Sequence, residues 1–256
     1  TFANGDHGIA IDNASNVVIG DGTVSGRNVI SGNRRRGIQG SGTNSAITIN
    51  GNYIGTDATG NVAVANGDLS GTSQKDAVAF DSGSVSNVSV LNNVIGGYAS
   101  AMVEFFHISS VGITIQGNNI GVGADGTSRI VFDNNEDLIW IGGNPRTHTN
   151  VLVGGTAPGQ GNIVAFSTRS GIYVDSTGSN IQVIGNTVRN NTRNGINVLQ
   201  STKAAVVSNR VYDNGLIGID LGDNGVTTND AGDGDGGAND LLNVPAITAV
   251  NVRGAD

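Results

Sequence analysis

The sequence predicts an all-β fold, a right-handed parallel β-helix of about eight rungs. Three observations predict it: a repeat of about 23 or 24 residues, apolar alternation inside each repeat, and an excess of two turn-forming residues. Self-similarity at a fixed period is the signature of stacked repeat architectures. The chain holds 41 glycines and 33 asparagines, and both residue types tolerate the left-handed backbone that sharp corners require.

The first element of the repeat is a strand that ends at an asparagine. In every copy the residue two positions after this asparagine is Ile or Val, and in five copies the residues three and five positions before it are apolar. Alternation of this kind is the period of a β-strand. The asparagines are Asn28, Asn52, Asn93, Asn118, Asn162, Asn186 and Asn209. Stacked copies would let their side chains form a ladder along one corner.

The second element is a strand of the form Gly-Ile-x-Ile, which begins about nine residues after the asparagine where no insertion intervenes. Its eight copies begin at residues 8, 37, 77, 102, 138, 171, 195 and 218. The two signals agree in spacing, so the chain is predicted to coil with one rung about every 4.8 Å. A β-propeller would need repeats of about 40–45 residues, and an α/β fold would need a helical period.

The repeats predict one β-helix domain over residues 1–240, with long corner insertions near 55–76 and 121–136. Residues 241–256 form a C-terminal end segment, either a cap or a lead into a following domain. Open solenoid ends expose strand edges that invite pairing. We therefore expect more chain before Thr1, or an end-to-end or oligomeric contact between copies.

Composition excludes several classes of protein. The formal net charge of −8 argues against a nucleic-acid partner, because neutralising phosphates needs a basic surface. The absence of cysteine excludes a disulfide framework and thiolate metal sites. No apolar run approaches the roughly 20 residues that cross a bilayer, so no membrane span is predicted.

The phrases "NVISGN", "GNYIGTDATGNVAVAN" and "GIDLGDNGVTTNDAGDGDGGANDLLNVPAI" resemble a large bacterial family of right-handed parallel β-helix repeat proteins. Its members are similar in fold to the pectate-lyase-like superfamily and are usually parts of long secreted or cell-surface proteins. The resemblance covers essentially the whole chain and implies a secreted or surface location. The family's shared motifs are rung and corner residues, so the resemblance implies no catalytic set.

The position x of the Gly-Ile-x-Ile strand is expected to face solvent. On the last five rungs it holds Glu104, Trp140, Tyr173, Asn197 and Asp220. Flat aromatic rings beside hydrogen-bonding side chains suit a sugar, which offers one apolar face and several hydroxyls. This strip is therefore predicted to bind a polysaccharide or cell-surface glycan. The alternative is that the two aromatic residues only stabilise the sheet by stacking between rungs.

Catalysis is the second interpretation of this face, with Glu104 and Asp137 as the candidate residues. Glycoside hydrolysis needs two carboxyl groups about 5–5.5 Å or 6.5–9.5 Å apart, and the strand spacing places these two backbones near 11 Å. Arg169 and Arg193 occupy equivalent positions on adjacent rungs, where they could grip an acidic saccharide. Because no close carboxylate pair emerges, a structural or adhesive module is predicted. The alternative is a polysaccharide lyase or glycoside hydrolase.

Two charged segments complete the sequence. The acidic stretch before the C-terminal end offers closely spaced carboxylates and glycines, which suit structural Ca²⁺ without matching an EF-hand. The alternative is a solvated acidic loop without a metal. Its candidate ligands are Asp223, Asp230, Asp233, Asp235 and Asp240. No other cofactor is predicted. The basic "NRRRG" stretch, Arg34–Arg36, is predicted to be a solvated corner loop.

Overall fold

The computed structural model describes residues 4–67, 75–98, 100–132, 136–143, 147–200, 203–232, 234 and 236–241. The chain forms a right-handed parallel β-helix with three sheets along its length, one of eight strands and two of seven. Most turns contribute one strand to each sheet, and pairing between the strands of successive turns is parallel. The predicted fold class is confirmed.

Sheet A, the eight-stranded sheet, is built from the Gly-Ile-x-Ile segments. Each predicted copy forms a strand, because its two apolar positions alternate about x and pack into the axis of the coil. The strands are β1 (Ile9–Asp12), β4 (Ile38–Ser41), β7 (Val78–Phe80), β10 (Val103–Phe106), β13 (Ile139–Gly142), β16 (Ile172–Asp175), β19 (Ile196–Val198) and β22 (Ile219–Leu221).

Sheets B and C lie on either side of the asparagine corner. Sheet B comprises β2 (Ser15–Ile19), β5 (Thr43–Asn50), β8 (Ser84–Leu91), β11 (Ser109–Gln116), β14 (His148–Gly154), β17 (Ile181–Ile184) and β20 (Ala204–Val207). Sheet C comprises β3 (Val29–Ile30), β6 (Tyr53–Ile54), β9 (Val94–Ile95), β12 (Asn119–Ile120), β15 (Ile163–Ala165), β18 (Thr187–Arg189) and β21 (Arg210–Tyr212). The short strands of sheet C hold the Ile or Val that follows each asparagine.

The core is a continuous column of aliphatic side chains from Ile11 to Ala204. Three aromatic residues interrupt the described core, Tyr98, Phe80 and Phe105, and the rings of Phe80 and Phe105 stack with centroids 5.2 Å apart. Their packing explains a departure from the repeat at Gly40, which takes the place of the second apolar residue. A side chain at Gly40 would overlap the ring of Phe80, so the larger residue on one rung requires glycine on the previous rung.

The asparagine ladder runs along one corner, and its inner members are buried. Asn93 illustrates the unit: its Nδ2 donates to the backbone oxygen of Ile49 at 2.9 Å, and its Oδ1 accepts from the backbone nitrogen of Asn52 at 2.8 Å. Each amide therefore satisfies backbone groups that the corner leaves without a sheet partner. A second ladder at the next corner joins Asn33 to Asn66 and Asn191 to Asn214.

The two long insertions leave sheet C at the same corner and stack on each other. Each contains a small antiparallel bridge, Thr56 with Ala63 and Val122 with Arg129. The backbone nitrogen of Ala124 donates to the oxygen of Gly60 at 3.0 Å across the two loops. The insertions therefore extend the stacking of the coil instead of interrupting it.

The C-terminal end of the coil is partly covered by a short helical turn at Ala238–Leu241. Asn239 accepts from the backbone nitrogen of Ala204 at 2.8 Å and donates to its oxygen at 2.7 Å, as a strand of a further rung would. Leu241 is the last residue described, so most of the predicted end segment 241–256 lies outside the described residues. No helix in the described chain is long and apolar enough to cross a membrane.

Candidate functional site

The outer face of sheet A carries the predicted strip in register. Glu104 pairs with Trp140, Trp140 with Tyr173, Tyr173 with Asn197, and Asn197 with Asp220. The five side chains therefore follow one another on five adjacent strands, on the side of the sheet opposite the aliphatic core.

The expectation that position x faces solvent is wrong for three of the five residues. Glu104 is 5 % exposed, Asn197 2 % and Asp220 3 %, whereas Trp140 and Tyr173 are half-buried. Polar side chains from the preceding corner fold over the face and bond to position x. Asn194, for example, donates to Asn197 Oδ1 at 2.7 Å and to Asp220 Oδ2 at 3.0 Å.

The corner residue three positions before x supplies this second layer. On the second and third rungs it is Arg36 and Asp76, and on the fifth, sixth and seventh rungs it is Asp137, Ser170 and Asn194. All five are buried. The prediction that the "NRRRG" stretch is a solvated loop is correct for Arg34 and Arg35, which are exposed, and wrong for Arg36.

Arg36 is buried because carboxylates surround it. Its Nε donates to Asp76 Oδ2 at 2.6 Å, its Nη1 donates to Asp81 Oδ2 at 2.6 Å, and its Nη2 lies 3.6 Å from Glu104 Oε2. It also bonds the side-chain oxygen of Gln39, on β4. The planar guanidinium group with its five donors suits such a set of acceptors.

An acid cluster is formed by Asp76, Glu104 and Glu136. One carboxylate oxygen from each lies within 4.8 Å of the other two, and Ser100 Oγ donates to Glu136 Oε2 at 3.0 Å. Asp76 precedes β7, Glu104 stands on β10, and Glu136 precedes β13. Three consecutive rungs of sheet A therefore each contribute one carboxyl group to the cluster.

The surroundings of the acid cluster favour protonated carboxyl groups. Burial, followed by the negative charge of Asp76, raises the pKa of Glu104 to about 9. Burial and the same neighbour also raise the pKa of Glu136. Closely spaced carboxylates in a poorly solvated site share protons in this way, because removing every proton would leave uncompensated charge. Glu104 is therefore a neutral acid at pH 7.

The sequence candidates Glu104 and Asp137 do not form a pair in the cluster. Asp137 directly follows Glu136 in the chain and is buried, and its carboxylate accepts from the backbone nitrogen of Ser170 at 2.8 Å. Its Oδ1 lies 4.0 Å from Arg169 Nε. Burial raises the pKa of Asp137 as well. The carboxyl groups that approach Glu104 are those of Asp76 and Glu136.

An aromatic patch follows the acid cluster on the same face and comprises Phe106, His107, Trp140 and Tyr173. The rings of Phe106 and Trp140 have centroids 4.5 Å apart, and those of Trp140 and Tyr173 meet edge to face at 5.8 Å. Phe106 and His107 lie at 3.6 Å. His107 is exposed and the other three residues are half-buried. The patch presents apolar rings at the surface, with Glu104 on the strand next to Trp140 and Asp175 two residues after Tyr173.

A polar network occupies the C-terminal end of the face. Asn197 Nδ2 donates to Asp223 Oδ1 at 2.9 Å and to Ser170 Oγ at 3.2 Å. Asp220 Oδ2 accepts from the backbone nitrogen of Gly225 at 3.2 Å. These bonds tie the start of the acidic tail to the last two strands of sheet A.

Arg169 and Arg193 occupy adjacent rungs as expected, with the backbone nitrogen of Arg193 donating to the oxygen of Arg169 at 3.0 Å. Arg169 is half-buried beside Asp137, whereas Arg193 is exposed. Their binding to an acidic saccharide stays a prediction.

The predicted calcium ligands are only partly described. Asp223 is half-buried, Asp230 and Asp240 are exposed, and Asp233 and Asp235 lie outside the described residues. Within the described part of the chain, the group of three acidic side chains close enough to share a cation is the acid cluster, not the tail. A calcium site in the tail stays a prediction.

Sequence reasoning missed Asp76, Glu136 and the role of Arg36. A signal for two of them was present, because Asp76 and Arg36 stand three residues before x, as Asp137 does. Glu136 carries no comparable signal. It lies outside the repeat, at the end of the second long insertion.

These features define the class of the protein, a parallel β-helix. The outer face of its eight-stranded sheet carries half-buried aromatic rings between buried acidic and amide side chains. A scan of protein-family models and searches of curated proteins and of solved structures found no match to this chain.

Proposed function

We propose that the protein is a non-catalytic extracellular module, structural or adhesive, that contacts a glycan through the outer face of sheet A. The observation that carries the proposal is the aromatic patch. Trp140 and Tyr173 keep part of their ring surface accessible, although the polar residues on both sides of them along the strip are buried. An apolar ring next to carboxylates and amides matches the apolar face and the hydroxyl groups of a sugar.

The module is proposed to be secreted or exposed at the cell surface. The resemblance to bacterial β-helix repeat proteins supports a secreted or cell-surface module. In the described chain β1, β2 and β3 each pair on one side only, and such edges favour pairing with a further rung or with another copy of the chain.

Replacing Trp140 by Ala tests the glycan proposal. We expect affinity for a bound polysaccharide to fall about 30-fold, because truncating an aromatic anchor at the centre of an interface costs about 2 kcal/mol or more. Binding is measured by affinity electrophoresis and calorimetry on a panel of neutral, acidic and amino polysaccharides.

The matched control is Tyr212→Ala, which removes an exposed ring from sheet C on another face of the coil. We expect this variant to bind as the parent does. If Trp140→Ala retained full binding to every glycan that the parent binds, while melting at a lower temperature, the rings would serve only to stabilise the sheet.

A glycan-cleaving enzyme is the second candidate, and the acid cluster favours it. The prediction of a non-catalytic module depended on the absence of a close carboxylate pair, and the contact of Glu104 with Asp76 and Glu136 removes that premise. A neutral Glu104 is suited to donate a proton to a leaving sugar oxygen, with Glu136 as the ionisable partner. The oxygen spacing is nearer to that of retaining than of inverting glycosidases.

Incubation with the same panel decides between the two functions. New reducing ends would indicate hydrolysis, and unsaturated products would indicate a lyase. If Glu104 is the general acid, Glu104→Gln lowers the rate about 10²- to 10⁴-fold. The control Asp213→Asn, an exposed acid that follows sheet C, keeps the parent rate. A parent that binds a glycan and releases no product under any condition supports the non-catalytic module.

A further inference from the structure

We propose that the ligand of the aromatic patch is a glycan with protonated amino groups, a polymer of the glucosamine class. This inference rests on the proposed glycan function and names the chemistry of the sugar. It depends on the charge around the patch and on two polar atoms without partners, one in the patch and one on Asp175 beside it.

Charge along the outer face of sheet A is predominantly negative in the described chain. The acids outnumber the bases on the strands of this face and on the corners that border it. Besides the neutral Glu104, the acids include Asp6, Asp12, Asp76, Asp81, Glu136, Asp137, Asp175, Asp220 and Asp223, and the bases include Arg34, Arg35, Arg36, Lys75, Arg169 and Arg193. Such a face repels a polymer of uronic acids and attracts a polymer of amino sugars.

Two of the bases on this face, Arg36 and Arg169, are also poorly placed to receive an acidic sugar. Arg36 is buried, and its guanidinium group bonds Asp76 and Asp81. Arg169 lies against Asp137, so its charge is already opposed by a buried carboxylate. A carboxylated polymer would therefore compete with the carboxyl groups of the protein for the same cations.

The two polar atoms without partners are an indole nitrogen and a carboxylate oxygen. Trp140 Nε1 and Asp175 Oδ1 are buried and have no hydrogen-bond partner in the described structure. Asp175 pairs in register with Gly142, two residues along the strand from Trp140. The two backbones are therefore roughly 8 Å apart. The patch and the carboxyl group beside it therefore offer one donor and one acceptor on adjacent strands.

An amino sugar satisfies both atoms. A ring or hydroxyl oxygen accepts from the indole N–H, and an ammonium group donates to Asp175. Because neither atom has a partner to lose, turning these half-buried side chains toward a ligand breaks no hydrogen bond. An ammonium group above an aromatic ring gains a further cation–π attraction.

Glu104 pairs in register with Trp140 of the patch, and the half-buried Glu136 has its carboxyl group beside Glu104. Burial raises the pKa of both groups. A bound ammonium favours their ionised forms, so binding is expected to release protons to the buffer. A neutral or acidic glycan would release none.

The test compares three hexasaccharides at pH 6, where the amino groups are protonated: β-1,4-linked glucosamine, its fully N-acetylated counterpart, and a galacturonate oligomer. We expect the amino form to bind about tenfold more tightly than the acetylated form, because a hydrogen bond to a charged group adds about 1.4 kcal/mol or more. Calorimetry in two buffers of different ionisation enthalpy measures the released protons.

Asp175→Asn removes the charge that the ammonium group is proposed to contact and keeps the shape of the side chain, so we expect it to fold. It should reduce the amino-to-acetyl affinity ratio to near one, whereas Asp213→Asn, which removes the same charge on another face, should keep the parent ratio. Equal losses in both variants would mean that long-range charge alone attracts the polymer, and would overturn the inference.

The remaining outcomes separate this inference from the proposed function. Equal binding of the amino and acetylated sugars, or tighter binding of the galacturonate, would overturn the inference and keep a glycan-binding face. Binding of none of the three, and of no glycan in the wider panel, would overturn both.

Discussion

Replacing Asn118 by Ala is expected to lower the free energy of unfolding by about 4 kcal/mol. Asn118 is fully buried in the middle of the ladder, where Nδ2 donates to the oxygen of Val90 at 2.8 Å and to Asn162 Oδ1 at 2.9 Å. Its Oδ1 accepts from the nitrogen of Asn93 at 2.9 Å. Alanine removes the side-chain partner of the Val90 oxygen and of the Asn93 nitrogen, and each loss costs about 1–3 kcal/mol. Asn162 Oδ1 still accepts from the backbone nitrogen of residue 118 at 3.0 Å.

Chemical denaturation monitored by circular dichroism measures this loss. Asn224→Ala is the control, because Asn224 is exposed beyond the last strand of sheet A, and it should change stability by less than about 0.5 kcal/mol. Because a solenoid is stabilised by contacts between neighbouring rungs, the loss should be similar for Asn93 and Asn162. A loss below 1 kcal/mol at all three positions would show that the ladder is not a main source of stability.

Replacing Arg36 by Met is expected to cost about 3–5 kcal/mol at neutral pH. The substitution keeps an unbranched side chain and removes the cation that faces Asp76 and Asp81, and breaking a buried ion pair leaves an uncompensated buried charge. The control Arg35→Met removes an exposed arginine that lies 3.3 Å from Asp6, and should cost at most about 1 kcal/mol.

A double variant and the dependence on pH test the same ion pair if Arg36→Met alone fails to fold. Arg36→Met combined with Asp76→Asn removes the unpaired charge together with its partner, so it should recover part of the loss. The cost of Arg36→Met should also shrink in acid, where protonation of the carboxyl groups removes the need for a cation. A cost independent of pH would indicate that Arg36 stabilises the fold by packing alone.

The acid cluster also gives the parent protein a characteristic dependence on pH. The pKa of Glu104 is raised to about 9 from an ordinary value of 4.5, so between these two pH values the native state holds a proton that the unfolded state has released. Stability from this group is therefore complete below pH 4.5 and is lost as pH rises toward 9. Glu104→Gln should flatten this part of the profile.

The sequence by itself determined the coil. Local periodicity predicts the asparagine ladder, the eight strands of sheet A and the corner of each long insertion. It does so because each repeat of a solenoid contacts mainly its neighbours and adopts the same local structure. Glu104, Trp140, Tyr173, Asn197 and Asp220 could therefore be placed on adjacent strands from spacing alone.

The tertiary structure decided what covers that face. The burial of Glu104 and the role of Arg36 depend on the direction in which corner side chains turn, and Glu136 enters the cluster from an insertion outside the repeat. A period fixes which residues share a rung. It does not fix which charged groups contact each other on the outer face of sheet A, because those contacts depend on long side chains and loops that do not repeat.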